Sequence, residues 1–191
     1  MFLSLAVTPA LRAESRSYEI RPGDKSIAEF HAEDTYDAFD GTTKQVAGTI
    51  VADPAAPAAA TVSVTIDLGS LDTGVGLRNR EMRERYLETP KFPRATFQSV
   101  SVSAPASVEP NAPAEITVTG DFTLHGVTKR MVIPVRVVLI PEGRIHVTTR
   151  FNVHMPDFGI EVPSNVLVTV NHDVPVRLDV WAIARAHRDS R

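Results

Sequence analysis

The residues of this chain best placed to do chemistry are Asp72, Thr73 and Gly74, which spell the active-site triplet of aspartic proteases. In those enzymes two such carboxylates share one proton and activate a water molecule. This chain carries one copy, so a protease would have to be a dimer, and Ser70 stands where a flanking apolar residue is needed. The alternative is a turn after a strand, in which Asp72 accepts backbone hydrogen bonds and Gly74 takes a positive φ. We expect the turn.

Six histidines raise the question of a metal site. No two of them lie four apart on a helical segment, and none has a carboxylate at the usual ligand spacing. The chain has no cysteine, which excludes thiolate ligands and disulfides. We therefore predict no metal and no cofactor. His125 begins the turn 125–128, and we expect its ring to hold that turn by a hydrogen bond, with contact to a ligand as the alternative.

Four arginines, Arg78, Arg80, Arg83 and Arg85, fall in one short segment. They could form a solvated helix face. Arg78 comes first, directly after the turn, so it could instead face a cavity mouth and bind a polar head such as a pyrophosphate or a quinone. The net charge of −3 is spread without long blocks of one sign, which argues against a nucleic-acid partner.

The elements that position these residues are strands, because apolar and polar residues alternate with period two along most of the chain. The alternation is clearest from Thr61 to Leu68, and it continues through a meander of three strands between residues 115 and 153. A C-terminal strand follows at 174–182, and two weaker strands precede at 28–32 and 46–52. About eight strands result. One segment, Asn79 to Leu87, has a helical pattern.

Eight antiparallel strands with one apolar face can form either a two-sheet sandwich or a closed barrel, and periodicity alone leaves both open. A barrel of that size has an interior just wide enough for side chains or for one small ligand. The inward rows consist mainly of valine and isoleucine, and side chains of that size favour a cavity.

Four segments in order resemble the YceI-like family of polyisoprenoid-binding proteins. They are I-D-L-G-S-L-D-T-G-V-G-L-R-N at 66–79, Y-L-E-T-P-K-F-P-R-A-T-F at 86–97, V-T-G-D-F-T-L-H-G-V-T-K at 118–129 and D-F-G-I at 157–160. The resemblance runs from about Tyr18 to Ile183. It implies an all-β, extended lipocalin-like barrel of eight antiparallel strands, with an elongated tunnel for a long isoprenoid, in the periplasm.

The chain departs from the family pattern at four positions. Asn79 stands where the family usually has aspartate, and Met82 stands where histidine is common. Met155 and Pro156 replace the usual arginine and serine before Asp-Phe-Gly. These changes put in doubt a polar contact that those side chains make in the family.

Residues 1–13 are predicted to be the remnant of a secretory signal peptide, and residues 14–191 to be a single exported, soluble, periplasmic β-barrel domain. We predict that it binds and carries a long-chain apolar isoprenoid, of the polyprenyl phosphate or quinone type, without catalysis. The alternative is an enzyme that acts on an isoprenoid or lipid through Asp72 or His125. No run of ~18 apolar residues predicts a membrane-spanning helix. The oligomeric state is not fixed by the sequence, and a homodimer stays open.

Two sets of residues are predicted to bind the ligand, with one short helix near the barrel mouth. The polar head at the mouth is assigned to Arg78, Asn79, Tyr86 and His125. The apolar tunnel is assigned to Val62, Val64, Ile66, Phe97, Ile116, Val118, Phe122, Ile133, Val135, Val147 and Phe151.

Overall fold

The computed structural model describes residues 15–23, 25–33, 35–163 and 170–185. The predicted signal-peptide remnant at 1–13 lies outside the described residues. Within them the chain forms ten strands: β1 Arg16–Ile20, β2 Ile27–Glu33, β3 Ala38–Thr43, β4 Val46–Ala52, β5 Thr61–Asp67, β6 Arg94–Ser103, β7 Pro113–Leu124, β8 Val127–Ile140, β9 Arg144–His154 and β10 Asp173–Ala184.

Eight of these strands form a closed antiparallel barrel, as predicted. Neighbours hydrogen-bond in the order β1-β4-β5-β6-β7-β8-β9-β10, and β10 returns to β1. The closing register pairs Tyr18 with Ala184 and Ile20 with Ala182. The apolar face is therefore covered by closing the sheet into a barrel, and not by a sandwich of two sheets. Closure also pairs the backbone N–H and C=O groups that a sheet edge would leave without partners.

The other two strands, β2 and β3, form a hairpin that extends the barrel wall. β2 pairs with β10 from Val176 to Asp179, next to the stretch of β10 that pairs with β1. β3 ends beside the Asp72 turn, where Thr42 and Asp72 exchange two backbone hydrogen bonds of 2.9 Å. The hairpin therefore lies against the turn that leads into the helical segment.

The helical segment exists, but it begins three residues earlier than predicted. Helix α1 spans Gly76–Glu81, and a π-helical turn continues it over Met82–Tyr86. Val75 is the extended N-cap residue, and it follows Gly74, whose φ of 75° reverses the chain. Within the described residues no helix is long and apolar enough to cross a membrane.

Buried side chains form a layer around the barrel interior and at both of its ends. Ile20 and Val46 belong to the cluster on the β1, β4 and β10 side. Gly120 in β7 is required by close approach, because a Cβ there would lie 2.4 Å from the Phe97 ring and 2.6 Å from the Gln98 carbonyl oxygen. Opposite Gly120, β6 carries a β-bulge between Ser99 and Ser101. Gly120 thus lies at a close approach of two strands, opposite a bulge in β6.

Candidate functional site

The barrel interior contains a cavity, the first cavity, that is lined almost only by apolar atoms. The centre of a water molecule could occupy about 150 Å³ of it. All eleven residues assigned to the apolar tunnel line this cavity. Their inward orientation is therefore confirmed, while their contact with a ligand stays a prediction.

The strand register explains why these side chains converge. Cross-strand partners point to the same face of a sheet. Val64 pairs with Phe97 and Phe97 with Phe122, so one inward row crosses β5, β6 and β7. A second row pairs Val118 with Ile133 across β7 and β8. Period-two alternation along each strand then stacks such rows along the barrel.

One end of the first cavity is covered by two loops. Pro57 begins a 3₁₀ turn, Pro57–Ala59, and is buried. Val108, in the loop between β6 and β7, is also buried, and its N–H donates to the Pro54 carbonyl at 3.0 Å. Both residues line the cavity, so this end is plugged by apolar side chains.

A second cavity lies at the opposite end, beneath α1 and the π-helical turn. The space available to the centre of a water molecule is about 470 Å³, and it is partly open to solvent. Met82, Tyr86 and Leu87 contribute to its roof from the helical segment, and Phe30 contributes from β2. Its lining also includes ionisable residues: Glu29, Arg78, Glu81 and Arg85. The second cavity is therefore more polar than the first, although most of its lining is apolar.

Three residues line both cavities: Ile66, Ala95 and Phe122, which we call the neck. Ile66 and Ala95 are cross-strand partners in β5 and β6. The Phe122 ring is held edge-on by Phe151, with centroids 5.9 Å apart, and by Phe158, with centroids 5.5 Å apart. A long ligand that occupied both cavities would have to pass the neck.

Arg78 and Tyr86, two of the four residues assigned to the polar head, line the second cavity. The Arg78 side chain donates from Nε to Thr73 Oγ1 at 3.0 Å and from Nη2 to the Thr73 carbonyl at 2.9 Å. Its guanidinium also lies 4.0 Å from the centroid of Phe39. Arg85, the other arginine of the lining, pairs with Glu161 at 3.7 Å. Among the described residues Arg78 has no carboxylate within 4.0 Å.

Asn79 and His125 do not line either cavity. Asn79 Oδ1 accepts hydrogen bonds of 2.8 Å from the N–H and the hydroxyl of Thr73. The two ring nitrogens of His125 face the Phe158 carbonyl at 3.1 Å and Glu88 at 2.8 Å. The ring thus ties its turn to two other segments, as expected. The assignment of both residues to the ligand head stays a prediction.

Asp72 takes part in the turn that the sequence suggested. Its carboxylate accepts from Asn79 Nδ2 at 2.7 Å and from the Gly74 N–H at 2.9 Å. These two hydrogen bonds, that from Asn79 first, hold the pKa of Asp72 below its ordinary value. A carboxylate held in the ionised form by turn contacts is a poor proton donor.

The histidines on the barrel exterior pair with carboxylates across strands. His146 contacts Asp179 and His154 contacts Asp173, each at 2.8 Å. His31 contacts Asp40 at 2.6 Å, and this hydrogen bond, followed by that to Glu33, raises the pKa of His31. In the ranges that the structure describes, no group of three or more histidine and acidic side chains could hold a metal ion.

The sequence did not predict the second cavity or Ala95 at the neck. The lining residues of this cavity come from β2, β3, the helical segment, and the loop around Ile160 and Pro163. One signal was present: Met82 and Tyr86 lie four apart on one helical face, and a helix this short must pack against the sheet. That signal indicates a covered barrel end but not the empty space beneath it.

Comparison with known proteins identifies a family and several relatives of this chain. A family model described as YceI-like domain matches residues 18–182. Protein YceI of Escherichia coli O157:H7 is 38% identical over 99 residues, which are 51% of this chain and 48% of that protein. Protein YceI of Salmonella agona is 35% identical over 131 residues, which are 67% of this chain and 64% of that protein. This chain thus spans about half to two thirds of these relatives.

Two solved structures share the fold. Burkholderia cenocepacia BcnA superposes with a TM-score of 0.71 at 22% identity, over 82% of this chain and 96% of that one. A polyisoprenoid binding domain from Saccharophagus degradans superposes with a TM-score of 0.68 at 19% identity, over 90% of this chain and 100% of that one. At these identities the likeness establishes the barrel alone.

Proposed function

This chain belongs to the YceI-like domain family, and on that premise we propose that it binds and carries a long-chain isoprenoid lipid inside the barrel, in the periplasm, without catalysis. The single observation that carries the proposal is the first cavity. It is lined almost only by apolar atoms, is covered by two loops at one end, and is not filled by the side chains that line it. Such a site suits an alkyl or prenyl tail.

Burial of the tail supplies the affinity. Each CH₂ removed from water contributes ~0.8 kcal/mol. A five-carbon isoprene unit therefore contributes on the order of 4 kcal/mol, before the cost of ordering the chain is subtracted. A ligand with several units can bind tightly through apolar contact alone. The similarity to the polyisoprenoid binding domain of Saccharophagus degradans supports the choice of an isoprenoid over another apolar lipid.

The second cavity is the proposed site of the polar head. Arg78 lies in its wall, is fixed by Thr73 and Phe39, and keeps its charge unmatched by a carboxylate within the described residues. A partly buried guanidinium of this kind binds phosphate or carbonyl oxygens well. The head would then sit under the helical segment, with the tail extended through the neck into the first cavity.

Arg78→Ala is expected to weaken the binding of a polyprenyl phosphate by about tenfold, the usual effect of losing one charge-assisted hydrogen bond. Binding of the matching uncharged polyprenol should change by about twofold or less, because its tail contacts remain. Arg80→Ala is the matched control, since Arg80 is exposed on the same helix and does not line either cavity. Titration of fluorescent analogues measures both affinities. An equal loss for the two ligands would remove Arg78 from the head site.

Lipid extraction tests the function as a whole and separates it from the enzymatic alternative. Protein purified from its own periplasm should release an isoprenoid, at about one molecule per barrel, by native mass spectrometry and organic extraction. The lipid should stay chemically unchanged when the complex is incubated. An enzyme acting through Asp72 or His125 would convert the lipid, and Asp72→Asn would stop that conversion. An empty barrel, or one that releases no isoprenoid, would contradict the proposal.

A further inference from the structure

The first cavity ends at two loops, residues 53–60 between β4 and β5 and residues 104–112 between β6 and β7, which together we call the loop cover. Strands β4 and β6 end here and β5 and β7 begin here, so the loop cover lies at the end of the barrel away from the helical segment. Val108 lines the cavity, and its N–H joins the two loops by donating to the Pro54 carbonyl.

Backbone contacts also hold each loop of the cover in place. The Asn111 N–H donates to the Leu139 carbonyl at 2.8 Å, and Pro110 forms a β-bridge with Leu139, so the longer loop is tied to β8. In the shorter loop the Ala55 N–H donates to the Asp53 carboxylate at 2.8 Å. The contacts that tie the longer loop to β8 and to Pro54 would break if that loop swung open, so the loop cover is a fixed end wall.

Val108 is the residue of the loop cover best placed to stop a tail. It is 6% exposed and forms one buried cluster with Ile116 and Val118 of β7. Both of these partners line the first cavity as well. A tail that reaches this cluster therefore meets Val108, and it advances no further unless the loop is displaced.

Strand β7 gives the length of the space in front of Val108. Ile116, in the Val108 cluster, and Phe122, at the neck, lie six residues apart on this strand. At ~3.3 Å per residue they are ~20 Å apart along the strand, or ~15 Å along the axis of a barrel with tilted strands. An extended chain advances ~1.2 Å per main-chain bond, so an isoprene unit is ~5 Å long and about three units fill this distance.

We propose that the loop cover, and Val108 within it, sets the longest isoprenoid tail that this barrel buries. The inference rests on the proposed function and names the length class of its ligand. With the head in the second cavity, each further isoprene unit adds burial until the end of the tail contacts Val108. Units beyond that number stay outside both cavities and add nothing to the affinity.

A series of prenols that differ in length measures the limit. Prenols from farnesol, with three isoprene units, to solanesol, with nine, are titrated into the parent and into each variant. In the parent the affinity should rise with length and become constant at about four or five units, since about three lie past the neck. Val108→Ala should raise the affinity of prenols longer than this by about fourfold, because the space that it opens buries about one more CH₂.

Val108→Phe should have the opposite effect, because the ring would occupy the end of the cavity. The affinity of prenols of five or more units should fall by about tenfold, while that of farnesol should change by about twofold or less. Ala106→Phe is the matched control, since Ala106 is exposed on the same loop and does not line the cavity. It should give the parent's dependence of affinity on length.

The melting temperature of each variant shows whether it is folded, and Val108→Ala, which adds no bulk, tests the limit even if Val108→Phe does not fold. An affinity that kept rising up to solanesol in the parent would overturn the length limit. So would a constant level that began at the same length, with the same affinity, in the parent and in the folded Val108 variants. In both cases the proposed function would stand, because the prenols still bind. A parent that bound no prenol of any length would overturn the proposed function and the length limit together.

Discussion

Val118→Trp is expected to leave the barrel folded and to remove about nine-tenths or more of its bound lipid, because the indole would fill space that the tail needs. Val118 lies mid-strand in β7, lines the first cavity, and pairs with Val102 and Ile133. Enlarging a residue in a filled core costs ~1–3 kcal/mol, whereas a residue that borders empty space can grow at less cost. The melting temperature should therefore stay near that of the parent.

Thr119→Trp is the control for Val118→Trp. Thr119 is the next residue of β7 and faces outward, opposite Ser101 and Val132. This variant carries the same added bulk on the same strand, so it should keep the parent's lipid content. Lipid per protein is measured by organic extraction and the melting temperature by calorimetry. If Val118→Trp were strongly destabilised and the parent carried no lipid, the interior would be a filled core and the carrier function would be wrong.

Period-two alternation made the strands and their inward faces predictable, whereas the choice of a barrel over a sandwich came from the resemblance to the YceI-like family. Each inward row belongs to a strand that is apolar on one face, and the closed sheet turns all of these faces toward one axis. The residues that line the first cavity are therefore largely those that predicted the strands. Ile116 and Val135, for example, were predicted to face inward from separate strands and are cross-strand partners in the structure.

The strands that alternation missed show where the rule fails. In β6 the bulge between Ser99 and Ser101 shifts the period, so Ala95, Phe97 and Val102 line the cavity while Val100 faces solvent. β3 belongs to the hairpin outside the barrel. It contains Asp40 and Gly41 and has one large apolar side chain, Phe39, so no row of apolar residues marks it.

The second cavity was not predictable for a related reason. Its walls combine a helical segment, a hairpin and a loop, and no single period relates residues in three kinds of structure. Arg78 was assigned to the mouth from its place after the turn, and it does line the second cavity. Asn79, one residue later, faces the Asp72 turn instead. A helix turns by about 100° per residue, so the side chains of Arg78 and Asn79 point in different directions.

Ala95→Phe is expected to abolish the dependence of affinity on tail length. Ala95 is 3% exposed and is the smallest of the three residues at the neck. A phenylalanine there would meet Ile66 and Phe122 and close the passage between the two cavities. In the parent each isoprene unit that passes the neck adds burial, at ~0.8 kcal/mol per CH₂ as an upper bound. In the variant the units beyond the neck would stay in solvent and add nothing.

Farnesol, with three isoprene units, and solanesol, with nine, are the probes for this variant. The parent should bind solanesol at least about tenfold more tightly than farnesol. Ala95→Phe should reduce this ratio of solanesol affinity to farnesol affinity to about one, while farnesol affinity stays within about twofold of the parent's. Ala47→Phe is the control. Ala47 pairs with Thr65 on the outer face of the barrel, next to the neck. Ala47→Phe should therefore keep the parent's ratio of solanesol affinity to farnesol affinity.

Because Ala95 is packed among buried side chains, Ala95→Phe could destabilise the barrel without closing it. Ala95→Val adds less bulk to the same position, and it should lower the ratio partly while keeping the parent's melting temperature. A graded loss of the ratio across alanine, valine and phenylalanine, with farnesol affinity constant, is the result that a narrowing passage produces. If the ratio stayed at its parent value in folded Ala95→Phe, the tail would not pass the neck, and the ligand would occupy only one of the two cavities.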